Sequence, residues 1–125
     1  MKTTTNSPFA ALEKIFHEPN RLAIMSALCA ADGGTPFTDL KASCRLTDGN
    51  LNRHLKVFEE ERVIRVEKAF VQSRPRTTIY LTKTGFKRFN EYLSALAEVL
   101  EQARQAAGIE SVKPIRAVFG KALQA

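Results

Sequence analysis

Apolar and polar positions along the chain change period several times, and each change marks an element. Phe9, Leu12 and Phe16 stand at i, i+3 and i+7, which predicts a short first helix beginning at Pro8. That helix ends at His17 and Glu18, because a residue before proline is pushed away from helical geometry. Pro19 suits the first turn of a second helix, which Leu22, Ile24, Met25 and Leu28 carry to about Ala31. Apolar residues cover most of its circumference, so it is expected to be the central core helix. The run ADGG at 31–34 reads as a loop. Phe37 is then expected in a strand of one or two residues, with Thr38 capping a third helix that reaches Cys44. An alternative start has Thr35 as the cap and Pro36 at the first helical position.

The next stretch, LTDGNLNRHLKVFEEE, is amphipathic in a different way. Leu51, Leu55 and Phe58 share one stripe at helical spacing, and Thr47 caps the helix with Asp48 in its first turn. The opposite face carries Gly49, Arg53 and Lys56, flanked by Asn50 and Asn52. These side chains can reach base edges and phosphates: Asn pairs with adenine, Arg with guanine, Lys with backbone oxygens. A glycine there lets a bulky partner come close. The period then shortens to two. Ile64 and Val66 alternate with Arg65 and Glu67, and Thr77, Ile79 and Leu81 repeat the alternation on a return strand. Between them a tip holding Arg74, Pro75 and Arg76 is expected. A polar-faced helix followed by an Arg-tipped hairpin is the plan of a winged helix-turn-helix. Thr82 caps a long helix, 83–106, in which Phe86, Phe89, Leu93, Leu96, Leu100 and Ala103 follow heptad spacing. Such a seam predicts helix-to-helix self-pairing, with the first helix contributing. Gly108 and Pro114 break the pattern, and 107–125 reads as a tail in which Val112, Ile115, Phe119 and Leu123 suit a short helix.

Charge sharpens this picture. The net charge of +6 sits entirely in residues 45–90, which hold eleven Lys/Arg and five Asp/Glu, whereas both flanks are neutral. A basic excess confined to the polar-faced helix and hairpin is an electrostatic footprint of nucleic-acid binding. At 125 residues the chain suits one domain, assigned to 8–106. It holds no apolar run of membrane-spanning length, and MKTTTNSP lacks a signal-peptide core, so a cytoplasmic location is expected. Cys29 and Cys44 form no CxC or CxxC pair and are expected to be small buried residues, a redox pair being the alternative. His17 and His54 have no metal-ligand spacing, and His54 is expected to be a half-buried packing residue. Without a phosphate-cradling glycine loop, HExxH or GxSxG, neither an enzyme nor a cofactor is expected.

The segments LEKIFHEPNRLAIMSAL, FTDLKAS, LTDGNLNRHLKVFEEE and FVQSRPRTTIYLTKTG resemble winged-helix transcriptional regulators of the ArsR/MarR-like bacterial type. More narrowly, they are similar to a small winged-helix DNA-binding domain family with the pattern LTDGNL.RHL and RPRT..YLT. The resemblance spans about residues 9–103. It implies an α+β, mainly α fold: a winged helix-turn-helix with a two-stranded wing and a long C-terminal dimerisation helix. It further implies a dimeric regulator of double-stranded DNA, with reading helix 47–61 in the major groove and wing 70–77 on the adjacent backbone or minor groove. Thr47, Asn50, Asn52, Arg53 and Lys56 would then be groove or phosphate contacts, and Arg74, Arg76 and Thr77 wing contacts. Phe9, Leu12, Phe89, Leu93, Leu96 and Leu100 would form the dimer interface. Asn52 stands where such proteins more often have Ser, Glu61-Arg62 replaces a helix-ending glycine, and the wing tip has no glycine. The alternative function is a winged-helix adaptor for proteins without sequence-specific DNA binding. The sequence is silent on the operator, the direction of regulation and any effector.

Overall fold

A computed structural model describes residues 8–109 of the chain. A 3-10 turn at Pro8–Ala11 precedes α1 (Pro19–Ala30), β1 (Thr35–Pro36), α2 (Phe37–Cys44), α3 (Asp48–Glu60), β2 (Ile64–Val71), β3 (Arg74–Leu81) and α4 (Lys83–Ala107). The three strands form one antiparallel sheet in the order β1-β3-β2. This is the α+β, mainly α, winged helix-turn-helix anticipated from the sequence, with the long C-terminal helix in place. The short terminal helix suggested by Val112, Ile115, Phe119 and Leu123 lies outside the described residues.

The core lies where the three small helices meet the base of the sheet and the first half of α4. Ile24, Met25 and Leu28 enter it from α1, Leu40 from α2, Leu51, Leu55 and Phe58 from α3, and Ile64 and Ile79 from the strands. Phe16 sits at its aromatic centre, with its ring 5.3 Å from Phe89 and 5.7 Å from Tyr92. Only one side of α1 is buried, so this helix is less enclosed than its composition suggests. Cys29 is accordingly exposed and Cys44 half-buried, which corrects the expectation of two buried thiols. Partial burial still pushes both thiols up, which disfavours the reactive thiolate.

Three further expectations change. The first helix contracts to a 3-10 turn followed by a separate turn closed by His17 N–H on the Glu13 carbonyl (3.0 Å). Fewer than a dozen residues before a proline are too few for a helix to hold on propensity alone. Packing on α4 decides instead, and Arg88 clamps the segment through Glu13 (2.6 Å). At the next element Phe37 is helical, not extended: β1 is Thr35–Pro36, Thr38 lies inside α2, and Pro36 occupies the N-cap. Pro36 stays extended because Thr35 and Pro36 pair with Ile79 and Thr78. Along α4, the inward positions are Gly85, Phe89, Tyr92 and Ala95, a phase that the heptad reading missed by omitting Tyr92. Tyr92 is fully buried, and its hydroxyl lies 2.8 Å from His17 Nδ1.

Three helices end alike. After α3, Val63 N–H bonds the Phe58 carbonyl (2.9 Å) and Arg62 N–H the Glu59 carbonyl (3.0 Å), the paired bonds of a Schellman cap. After α2, Leu46 and Arg45 make the equivalent bonds to Lys41 and Ala42, and after α4 Ile109 and Gly108 do so to Arg104 and Gln105. The left-handed residue is Gly108 in one case but Arg45 (φ 57°) and Arg62 (φ 62°) in the others. The non-glycine cap at Glu61-Arg62 therefore takes the left-handed geometry at Arg62, despite a steric cost of about 1 kcal/mol.

Candidate nucleic-acid interface

Helix α3 is fixed at both ends by contacts within the chain. Thr47 caps α3, accepting the Asn50 N–H at 3.2 Å. At the far end the chain turns through Arg62 into Val63, which is buried and anchors the exit. Thr82 then ties that exit to α4. Its N–H donates to the Val63 carbonyl (3.1 Å), and its hydroxyl accepts the Gly85 N–H (2.9 Å). The two backbones meet so closely that a Cβ on Gly85 would lie 2.1 Å from the Val63 oxygen. Only glycine fits there. Helix α3, the base of the hairpin and α4 thus share one junction, a requirement that sequence reasoning missed; the Thr82–Gly85 spacing (TKTG) carried the signal.

Leu51, Leu55 and Phe58 face the core, as does His54, which is buried more deeply than its expected half-buried position. Arg21 Nε donates to His54 Nδ1 at 3.1 Å, linking α1 to the back of α3. That bond leaves Nε2 to carry the ring hydrogen, and it has no partner among the described residues. Desolvation pushes the His54 pKa below its ordinary value, with Arg21 and Arg53 adding to the effect and Glu18 opposing it. The outer side of α3 is the polar one. Thr47, Asn52, Arg53 and Lys56 are exposed and Asn50 half-buried, while space beside Gly49 is open.

The hairpin differs from its expected form in one respect. Its tip is Gln72 and Ser73, both left-handed (φ 55° and 66°), while Arg74, Pro75 and Arg76 lie within β3. Two left-handed residues make the mirror-image turn whose twist suits a two-residue hairpin. The turn closes on the Val71–Arg74 pair, which places Phe70 opposite Pro75. In such a hairpin that second pair exchanges no hydrogen bonds, so the missing proline N–H is tolerated there. Proline thus stiffens a strand instead of a loop.

Side chains from the helix and the wing converge. A groove of about 750 Å³ is lined by Asn52, Leu55, Lys56 and Glu59 of α3, by Val66, Lys68 and Thr77 of the wing, and by Phe37. Thr77 therefore shares a groove with the outer side chains of α3, and Lys68, which was not singled out from the sequence, joins it there. Its signal was its alternation with Val66 on β2. Arg74 and Arg76 line a separate hollow beside Pro36, Phe37 and Thr38. Among the described residues, Arg53, Lys56, Lys68, Arg74 and Arg76 are in no ion pair, and neither are Lys14, Arg21, Arg45, Arg62, Lys83 and Lys87, whereas Lys41, Arg65, Arg88 and Arg104 each hold a carboxylate. No group of three or more His, Cys, Asp or Glu among the described residues is placed to hold a metal ion.

The expected dimer residues fall into two sets. Phe89 is buried in its own chain, and Leu12 and Leu96 pack partly against the same core. Phe9, Leu93 and Leu100 are exposed, together with Phe86. No helix among the described residues is long and apolar enough to cross a membrane.

A helix-turn-helix whose second helix presents unpaired cations beside a basic antiparallel hairpin defines a winged-helix DNA-binding module. Residues 20–100 match the family described as "Winged helix DNA-binding domain", and the chain belongs to that family. It is 33% identical over 86 residues to an uncharacterized protein of Methanocaldococcus jannaschii, covering 69% of this chain and 92% of that one. Its fold is similar to a transcriptional regulator homologue protein from Pyrococcus horikoshii OT3, with a TM-score of 0.69 and 29% identity over 76% of this chain and 94% of that chain. The S. aureus MepR–DNA complex shares the fold at a TM-score of 0.60 and 18% identity, covering 80% and 81% of the two chains. By family, then, residues 20–100 form a winged-helix DNA-binding domain.

Proposed function

We propose that the protein is a dimeric transcriptional regulator that reads duplex DNA with the outer face of α3 and clamps it with the wing. One observation carries the reading: Asn52 and Lys56 of α3 line the same groove as Lys68 and Thr77 of the wing, and none of these cations is in an ion pair. Neutralising an exposed lysine with a carboxylate contributes little to folding. Leaving several unpaired on one face suits an anionic partner.

In this reading α3 enters the major groove. Arg53 and Asn52 address base edges, while Thr47, Asn50 and Lys56 hold the register through phosphates. Arg74 and Arg76 contact backbone beside or across the minor groove, and Thr77 and Lys68 close the gap between helix and wing. The open space at Gly49 allows the duplex to approach the helix start. Crystallisation of the S. aureus fold-mate with DNA is in keeping with this use of the fold. A regulator of this kind works in the cytoplasm, where the chromosome lies.

Dimerisation is the second part of the proposal. Phe86, Leu93 and Leu100 on α4 are 55%, 42% and 48% exposed, an apolar stripe with heptad spacing that Leu96 borders, and Leu12 and exposed Phe9 of the N-terminal segment are proposed to join it. Pairing through it places two reading helices on one duplex, with half-sites about one helical turn apart. The test is fluorescence anisotropy with duplexes selected from a random pool, at two salt concentrations. Tight, salt-dependent, sequence-selective binding is expected. Equal binding to all duplexes at both salts, or none, contradicts the proposal.

A further inference from the structure

Phe70 is 77% exposed, the most exposed large apolar residue of the described chain, and Val71 beside it is 43% exposed. Scattered surface apolar residues need no explanation, but this one has a specific setting. It stands next to the hairpin turn on β2, opposite Pro75. Lys68 shares its face, Arg74 and Arg76 flank its partner Pro75 on the other face of the hairpin, and no carboxylate occurs between Lys68 and Arg76. Alternation along β2 puts Phe70 on the face that already carries Val66 and Lys68, and those two residues line the groove shared with the reading helix. An aromatic ring on an exposed hairpin also carries an aggregation liability that cations offset only in part.

We propose that Phe70, paired with Pro75, is a wedge that enters the minor groove and partly unstacks a base step, bending the DNA toward its major groove and away from the wing. The inference rests on the DNA-binding reading above and adds a specificity element to it. A hairpin cationic on both faces calls for an anionic partner, and a protruding ring calls for an apolar interior within that partner. Duplex DNA supplies both, in phosphates flanking stacked bases, and apolar side chains inserted between base steps are a general means of bending it. The rigidity required of a wedge comes from the two-residue turn at Gln72–Ser73 and from the fixed φ of Pro75. Because pyrimidine–purine steps unstack most readily, the wedge selects such a step at a fixed offset from the bases that α3 reads.

The test uses the full chain and a duplex selected from a random pool, end-labelled for energy transfer and carrying 2-aminopurine at candidate steps. The wild-type protein is expected to shorten the end-to-end distance and raise the 2-aminopurine emission. Phe70→Ala should bind with the same salt slope but lose both signals, with affinity for the flexible-step site down about tenfold and affinity for a stiff A-tract control unchanged. Phe70→Leu should restore the bend. Binding without bending or unstacking by the wild type overturns the wedge while leaving the DNA-binding reading intact, as does equal bending by Phe70→Ala. If Phe70→Ala instead changes only self-association or attachment to anionic vesicles, the ring serves another surface and the wedge is also refuted. Absence of any duplex binding removes both proposals together.

Discussion

Gly49 and Arg53 share one stripe of α3, and alanine at either should weaken DNA binding while only the first raises stability. No atom lies within 4 Å of a Cβ built at Gly49, and alanine in a helix is favoured over glycine by up to about 1 kcal/mol. Gly49→Ala should therefore stabilise the free protein by about 0.5–1 kcal/mol in urea denaturation and weaken DNA binding, because the approach that glycine permits is lost. Equal or tighter binding by that variant would remove the helix start from the contact surface. Arg53→Ala should leave stability within about 0.5 kcal/mol while costing about 1–3 kcal/mol of specific binding and relaxing preference at one base position. At the back of the same helix, His54 makes stability depend on pH. Its folded pKa lies below its ordinary value near 6.5, so the unfolded chain binds the proton more readily. The contribution is full above about 6.5 and falls as pH drops below it. Denaturation midpoints should decline from pH 7.5 to pH 5.5, and decline less in His54→Gln.

Elements here are held less by propensity than by their ends. The reading helix was legible in the sequence because Thr47, the Leu51–Leu55–Phe58 stripe and the polar outer face agree on one phase. The hairpin strands were legible for the same reason. The turn was not: without glycine, nothing in QSRPR marked Gln72 and Ser73 as the two left-handed residues, and Pro75 drew attention away from them. Phe89 and Tyr92 were hard to separate from Leu93 because α4 is apolar on two sides, and only the position of Phe16 decides which side turns inward. Gly85 escaped notice because its constraint is a contact with Val63, remote in sequence. Two predictions belong to this scale. Gly85→Ala should destabilise the domain by more than about 2 kcal/mol, since backbone must move to clear a Cβ 2.1 Å from the Val63 oxygen; a thermal midpoint unchanged from wild type would contradict that junction. Replacing Arg74 and Arg76 together with Ala should weaken binding to all sequences alike and flatten the salt dependence by up to about two units of slope.

At the scale of the whole molecule, the proposed DNA-binding surface of unpaired cations is combined with an exposed apolar stripe on the C-terminal helix α4. Leu93 and Leu100 are better probes of that stripe than Leu96, which also packs on its own core. Leu93→Glu with Leu100→Glu should leave the fold intact and shift sedimentation at micromolar concentration from dimer to monomer. Specific binding should then fall far more than non-specific binding, because two linked half-site contacts act jointly. A native protein that sediments as a monomer would refute that part alone. The surface itself is tested most directly by measuring the affinity of the native chain for a selected duplex across a salt series, beside the Arg53→Ala and Arg74→Ala/Arg76→Ala variants. A steep linear fall of log affinity with log salt is predicted, with the wing variant lowering the slope and Arg53→Ala erasing preference at a base. Affinity indifferent to salt, or unchanged in both variants, would contradict the assignment of α3 and the wing as the DNA-binding face.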